Sequence, residues 1–316
     1  MLTSLSKSKK RKTKSNITMG LDTNGIKFLL DAKKEGVSFE KSAMVGRQFL
    51  YLDAKELQEC FQAFGHQLSL EGAKEILSSH KGYAEKVFTN LGADYIHSYD
   101  ASDYESATYI HDFNAPIPAE HKNKYSLVLD GGTLEHIFHF PNAIQNCMEM
   151  LEVGGHFLSI TPANNLFGHG FYQFSPELFY RIFSPQNGFE VEEIITFVNE
   201  PDSTWYKVKD PQVVKKRVKL INNRETYLLV RAKKTKAVSL LTQPPQQSDY
   251  VINYWDSGTQ REKQNPSLLK RLASILPSPI ETALSGLYQS LIKKDRIKQQ
   301  LGSVNPLYFE KKSLKS

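Results

Sequence analysis

From about residue 40 to residue 232, short strand-like runs alternate with stretches of helical periodicity. No other feature constrains the fold as tightly. Strands that pair in parallel need a crossover between them, usually a helix, so this alternation predicts an α/β fold with a mainly parallel sheet. The first strand is expected at Ser42-Ala43-Met44-Val45-Gly46, the second over 95–99 ending at Asp100, and the third over 107–111 ending at Asp112. The fourth, over 125–129, ends at Asp130-Gly131-Gly132. A helix over 142–151 with Ala143, Ile144, Cys147 and Met148 on one face leads to Gly154-Gly155, which should turn it into a fifth strand over 156–160. Phe189–Val198 and 226–232 are expected as an antiparallel pair at the edge. Helix signals punctuate the run. Asp53 with Glu56 predicts a capping box, Gly36 and Gly65 predict stops, and Ser175-Pro176 predicts a helix start. A short amphipathic helix is expected at Ile26 to Lys33.

The flanks differ from this core. Residues 1–16 contain Lys7, Lys9, Lys10, Arg11, Lys12 and Lys14 and no acid, while the remaining 34 basic residues balance 34 acidic ones. The net charge of +6 therefore belongs to a basic tail, expected to be disordered, and not to a broad nucleic-acid-binding face. Residues 17–232 are expected to form the folded domain, and 233–266, with Pro244-Pro245, a polar linker. Residues 267–316 are expected to carry two amphipathic helices split by Pro277 and Pro279. Lys293, Lys294, Arg296 and Lys298 beside the second helix keep membrane-surface contact among its readings, next to packing on the domain or on a partner subunit in an oligomer. Forty per cent apolar residues exclude a wholly disordered chain, and no apolar run reaches the roughly 18 residues of a membrane span. Two cysteines, Cys60 and Cys147, exclude a disulfide-rich scaffold and favour a cytoplasmic setting.

Ligands of an open parallel sheet bind beyond the carboxyl ends of its strands. Those ends carry Gly46, Asp100, Asp112 with Phe113, and Asp130 with Gly131. A carboxylate after the second strand can accept from ribose hydroxyls, and one after the third from an adenine amine that Phe113 could cover. Glycines let a backbone approach a ligand closely. Beyond the fourth strand, His136 is the first candidate general base and Glu135 could orient it; His169, in the Gly-, Asn- and aromatic-rich segment 164–174, is the second. That segment could cover an acceptor. Glu135, His136, His139 and His169 include metal-ligand types, but their sequence spacing matches no recognised set, so no metal is expected.

Tyr125-Ser126-Leu127-Val128-Leu129-Asp130-Gly131-Gly132-Thr133-Leu134-Glu135-His136-Ile137 resembles the fourth-strand motif of class I S-adenosylmethionine-dependent methyltransferases. Met150-Leu151-Glu152-Val153-Gly154-Gly155-His156-Phe157 is similar to the motif that follows it. The resemblance implies a Rossmann-like seven-stranded, mostly parallel sheet with helices on both faces and a reversed final hairpin. The C-terminal helices would be an appendage to it. It implies S-adenosyl-L-methionine as cofactor, with Asp100 on the ribose, Asp112 on the adenine, and Asp130 and Gly131 along the methionine end. Gly46 matches part of the family's glycine-rich loop, but Arg47 and Gln48 stand where small residues are usual. The reading is methyl transfer to a small-molecule or sugar-containing acceptor. The alternative is a non-catalytic binding or assembly protein with a degenerate cofactor loop.

Overall fold

Nine strands form one sheet in the order β3-β2-β1-β4-β5-β8-β6-β7-β9. The computed structural model describes residues 20–200, 203–251 and 305–314. In chain order the elements are α1 (Thr23–Lys34), β1 (Lys41–Val45), α2 (Ala54–Ala63), α3 (Leu70–Ser78), α4 (Glu85–Asn90), β2 (Tyr95–Asp100), β3 (Tyr109–Ile110) and β4 (Tyr125–Asp130). Then follow α5 (Phe140–Met150), β5 (Leu151–Asn164), α6 (Pro176–Ile182), β6 (Phe189–Val198), β7 (Tyr206–Val208), α7 (Pro211–Val214), β8 (Thr226–Lys234), α8 (Ser248–Tyr250) and β9 (Phe309–Lys311). The basic tail and the helices expected over 267–301 lie outside the described residues.

The strands β1 to β5 pair in parallel, and β8 runs antiparallel between β5 and β6. The expected reversed hairpin is therefore present. Two strands more than expected, β7 and β9, extend the edge in antiparallel register. Strand order reverses at β1, which has β2 on one side and β4 on the other, so the crevice between β1 and β4 is the natural ligand site.

Both faces of the sheet are covered, which is why its central strands read as unbroken apolar runs. Leu127 and Leu129 pack toward α1, α2 and α4, and Val128 packs toward α5 and α6, all without solvent exposure. Each such side chain contributes about 1.5–3 kcal/mol of burial. The capping box at α2 forms as expected: Asp53 Oδ1 accepts from Lys55 N and Glu56 N, and Glu56 Oε2 accepts from Asp53 N.

Two expected boundaries fail for visible reasons. The third strand keeps only Tyr109 and Ile110 in the ladder. Thr108 and Ser98 instead bond through their hydroxyls, with Ser98 N donating to Thr108 Oγ1 at 3.0 Å and Thr108 N to Ser98 Oγ at 3.1 Å. Gly154 and Gly155 do not precede the fifth strand; they lie inside β5, which begins at Leu151. The register with β4 shifts there, and a Cβ on Gly155 would press on the Tyr125 carbonyl at 2.9 Å. The pair marks a bulge where two backbones cross closely.

The far edge is held by charge. Arg231 on β8 lies 3.3 Å from Asp31 of α1 and 3.7 Å from Glu193 of β6, and Lys312, just after β9, pairs with both acids. Lys207 on β7 adds a bond of 2.7 Å to Glu193. Among the described residues no helix is long and apolar enough to cross a membrane.

Candidate functional site

The crevice at the carboxyl ends of the strands divides into two halves with different chemistry. The first half lies over β1, β2 and β3. Gly46 follows β1 with φ +73°, a conformation that favours glycine. A Cβ there would collide with the Thr133 hydroxyl, which donates to the Val45 carbonyl at 2.8 Å. Gly46 thus lets the loop after β4 close onto β1. The space in front of Gly131 holds the Gln48 carboxamide, with which a Cβ on Gly131 would also collide. Gln48 is buried and donates through Nε2 to the Val45 and Gly46 carbonyls, both at 3.2 Å, while its Oε1 has no partner. The close approach that both glycines permit is used by protein groups.

Arg47 turns away from this space. Its Nε donates to Glu85 at 2.6 Å, its guanidinium lies 4.2 Å from the centre of the Tyr83 ring, and Nη1 donates to the Glu105 carbonyl at 2.8 Å. It straps the loop after β2 to α4. Asp100 and Asp112 leave neighbouring strand ends, since Asp100 pairs with Ile110 in register. Each carboxylate is engaged locally: Asp100 Oδ1 accepts from Ser102 N, and Asp112 Oδ1 from the backbone and side chain of Asn114. Those bonds hold the exposed Asp112 carboxyl below its ordinary range.

Two expected cofactor contacts are corrected here. Phe113 is core: it is buried and packs edge-on against Tyr99 at 6.1 Å, so it covers no ring from the crevice. Asp130 does not line the crevice either, because it is fully buried. Its Oδ1 accepts from Thr133 N and Leu134 N and its Oδ2 from the Ser159 hydroxyl at 2.7 Å, which caps the turn after β4. Burial, and then the charge of Glu135, push its carboxyl up to about 7.

The second half lies beyond β4 and β5, where a short 3-10 turn, Leu134–His136, presents Glu135 and His136. Glu135 is fully buried, its Oε1 is 3.3 Å from His169 Nε2, and its Oε2 has no partner. The His136 and His169 rings meet edge to face at 4.8 Å. Burial lowers the basicity of His136, Glu135 opposes that shift, and His169 adds to it. All three expected catalytic side chains are therefore brought together, although His169 is more than 30 positions from the other two.

The sequence reading gave Gly170 no role, and the structure does. Its φ is +67°, and a Cβ would stand 2.8 Å from the Glu135 carbonyl oxygen. That carbonyl accepts from Phe171 N at 2.8 Å and Tyr172 N at 3.2 Å, which clamps the His169 segment onto Glu135. The sequence signal was a glycine directly after a candidate histidine. Phe138 was also missed. It is exposed beside Phe171, ring centres 5.8 Å apart, and with exposed Phe167 in the same segment it gives this half a rim of aromatic rings.

No family model matches the chain, and no curated protein matches it. Solved structures do. A Listeria monocytogenes protein described as an S-adenosylmethionine-dependent methyltransferase aligns at 14% identity over 66% of this chain and 99% of its own, with a TM-score of 0.38. The Burkholderia thailandensis 1,6-didemethyltoxoflavin-N1-methyltransferase aligns at 10% identity over 68% of this chain and 78% of its own, at 0.35. TehB from Haemophilus influenzae aligns at 14% identity over 66% and 61%, also at 0.35. Likeness at this level says nothing of activity. What the strand order shows by itself is a mixed sheet with a parallel core that resembles the fold of class I S-adenosylmethionine-dependent methyltransferases.

Proposed function

We propose that this chain is an S-adenosylmethionine-dependent methyltransferase acting on a small-molecule or sugar-containing acceptor. One observation carries the reading: Glu135, His136 and His169 converge beyond β4 and β5, beside the crevice at the strand-order reversal. When bound, the cofactor supplies a methyl group already activated on a sulfonium. The chain then has to orient the acceptor and accept its proton. Glu135 orients His169: with the proton on Nε2, the ring donates to Oε1 and leaves Nδ1 as an acceptor. Lowered basicity keeps His136 neutral near pH 7, the form that can take a proton. The exposed rings of Phe138 and Phe171, set edge to face, offer apolar surface to a planar or sugar-bearing acceptor.

The residues over β1 fit the cofactor only in part. Asp100 stands at the end of β2 with Oδ1 accepting from Ser102 N, but the Gln48 carboxamide occupies the place expected for the methionine end. That plug is weakly held, since its buried Oε1 lacks a partner, an arrangement costing about 1–3 kcal/mol. A ligand that displaces it exposes Oε1 to a donor. The same plug favours a second reading, a binding or assembly protein on a methyltransferase scaffold. Calorimetry with S-adenosylmethionine and S-adenosylhomocysteine, on the wild type and on Gln48→Ala, separates the two. The enzyme reading expects binding by both proteins, about tenfold tighter for the variant. If neither protein gives heat at millimolar ligand, the enzyme reading is lost and the second stands.

A further inference from the structure

We propose that Glu135, His136 and His169 form a binding site for a divalent transition-metal ion of the zinc class. Among the described residues, ligand atoms of these three side chains lie within 4.8 Å of one another. Glu135 Oε1 and His169 Nε2 are 3.3 Å apart. Two donors held about 2.0–2.1 Å from one tetrahedral ion stand roughly 3.3 Å apart, so this pair already has the separation of ligands. The third donor, on His136, lies within 4.8 Å of both.

A second, independent observation points into the same place. Glu135 is fully buried, and its Oε2 has no hydrogen-bond partner. A fully buried carboxyl oxygen without a partner is costly to keep out of water. A bound dication removes that cost. The set itself, two imidazoles and one carboxylate, suits zinc and its neighbours with an open coordination position, whereas magnesium and calcium prefer oxygen donors.

The backbone supports the arrangement before any ion arrives. The bonds from Phe171 N and Tyr172 N to the Glu135 carbonyl fix the His169 segment against the turn that carries the other two ligands. Gly132, with φ +97°, lets that turn form; a Cβ there would lie 3.3 Å from Glu135 Oε1. The ion's open position would face the aromatic rim and could take an acceptor oxygen, lowering that group's proton affinity. The site uses the same three residues as the acceptor reading above and does not depend on methyl transfer; with an ion bound, His169 Nε2 is a ligand and no longer donates to Oε1, so the two roles alternate.

The test reads the metal directly, without the methyl donor. Full-length protein stripped with a chelator is titrated with Zn2+ by calorimetry and with Co2+ by visible absorption, with Mg2+ as a third probe. One equivalent of Zn2+ is expected at micromolar affinity or tighter, with tetrahedral ligand-field bands for Co2+ and no comparable binding of Mg2+. His169→Gln and Glu135→Gln should each weaken Zn2+ by at least about tenfold, and His136→Gln/His169→Gln should abolish the stoichiometric site. X-ray absorption of the Zn2+-loaded wild type needs no variant to fold, and should show imidazole nitrogen and carboxylate oxygen at about 2.0 Å. Absence of a stoichiometric site in the wild type, or equal affinity in the variants, overturns the proposal. Either result leaves the cofactor calorimetry to be judged separately.

Discussion

Glu193 and Glu135 are both buried carboxylates, one on β6 in the antiparallel part of the sheet and one in the turn beyond β4 at the mouth of the crevice. Three cations surround Glu193: Lys207, Lys312 and Arg231. Burial alone would raise its carboxyl, but the bonds to Lys207 and Lys312 and the charges of Lys312 and Arg231 hold it below the ordinary range. Around Glu135 the chain places one histidine bond and leaves one oxygen bare. The chain can neutralise a buried acid thoroughly where structure requires it. At Glu135 no Lys or Arg among the described residues is paired with the carboxyl, which sits between two histidines and a clamp of backbone bonds.

The comparison breaks most easily at its strong side. Glu193→Ala leaves Lys312, Arg231 and Lys207 short of a counter-charge and should cost about 3–5 kcal/mol in urea unfolding at pH 7. A loss below about 1 kcal/mol would mean that the cluster is ornamental. The pH dependence sharpens the same point. A carboxyl depressed in the folded state contributes stability above its unfolded value near 4.3, and that contribution is lost as pH falls through the folded value. The gap between wild type and Glu193→Ala should therefore be full at pH 6–7 and shrink below about pH 4, as read from unfolding midpoints.

On the weak side, Glu135→Gln should change the stability of the metal-free protein by no more than about 1–2 kcal/mol, because an isosteric amide replaces a carboxyl with one unpartnered oxygen without breaking an ion cluster. A loss comparable to that of Glu193→Ala would show that Glu135 is structural and end the contrast. The smallest effect belongs to Gln48→Ala. Removing a carboxamide whose oxygen is unsatisfied should change thermal stability by less than about 1 kcal/mol, since lost packing and relieved desolvation oppose each other. A loss of several kcal/mol would make Gln48 part of the core and not a displaceable plug.

Much of the sheet was legible in the sequence, for a physical reason. Strands buried on both faces carry apolar runs such as Ala43-Met44-Val45 and Leu127-Val128-Leu129, and caps such as Asp53 with Glu56 depend only on neighbours three positions away. Contacts set by distant partners were not legible. The third strand is cut short because Thr108 finds the Ser98 hydroxyl and amide across the ladder, which no local pattern reveals. Strand β9 is only three residues long, too few for periodicity to register. At the site, Glu135 and His136 were visible as a local motif, whereas the arrival of His169 depends on two backbone bonds to the Glu135 carbonyl. The bulk of Gln48 was plain from its position after Gly46. That it would fold back over Gly131, while Arg47 turned outward to Glu85, was decided by partners far along the chain.

Residues 305–314 carry a consequence for how the molecule is assembled. Asp31 lies in the first helix of the described structure and Glu193 midway along the chain, yet both pair with Lys312, 281 and 119 positions downstream. During synthesis these acids meet Lys207 and Arg231 before Lys312 emerges, so the cluster beside β7 gains its third cation last, like a belt whose buckle is made after the strap is wound. A truncation placed just before Lys312 would keep the β7–β9 pairing and leave Asp31 and Glu193 with Arg231 and Lys207 but without the cation that they share at closest range.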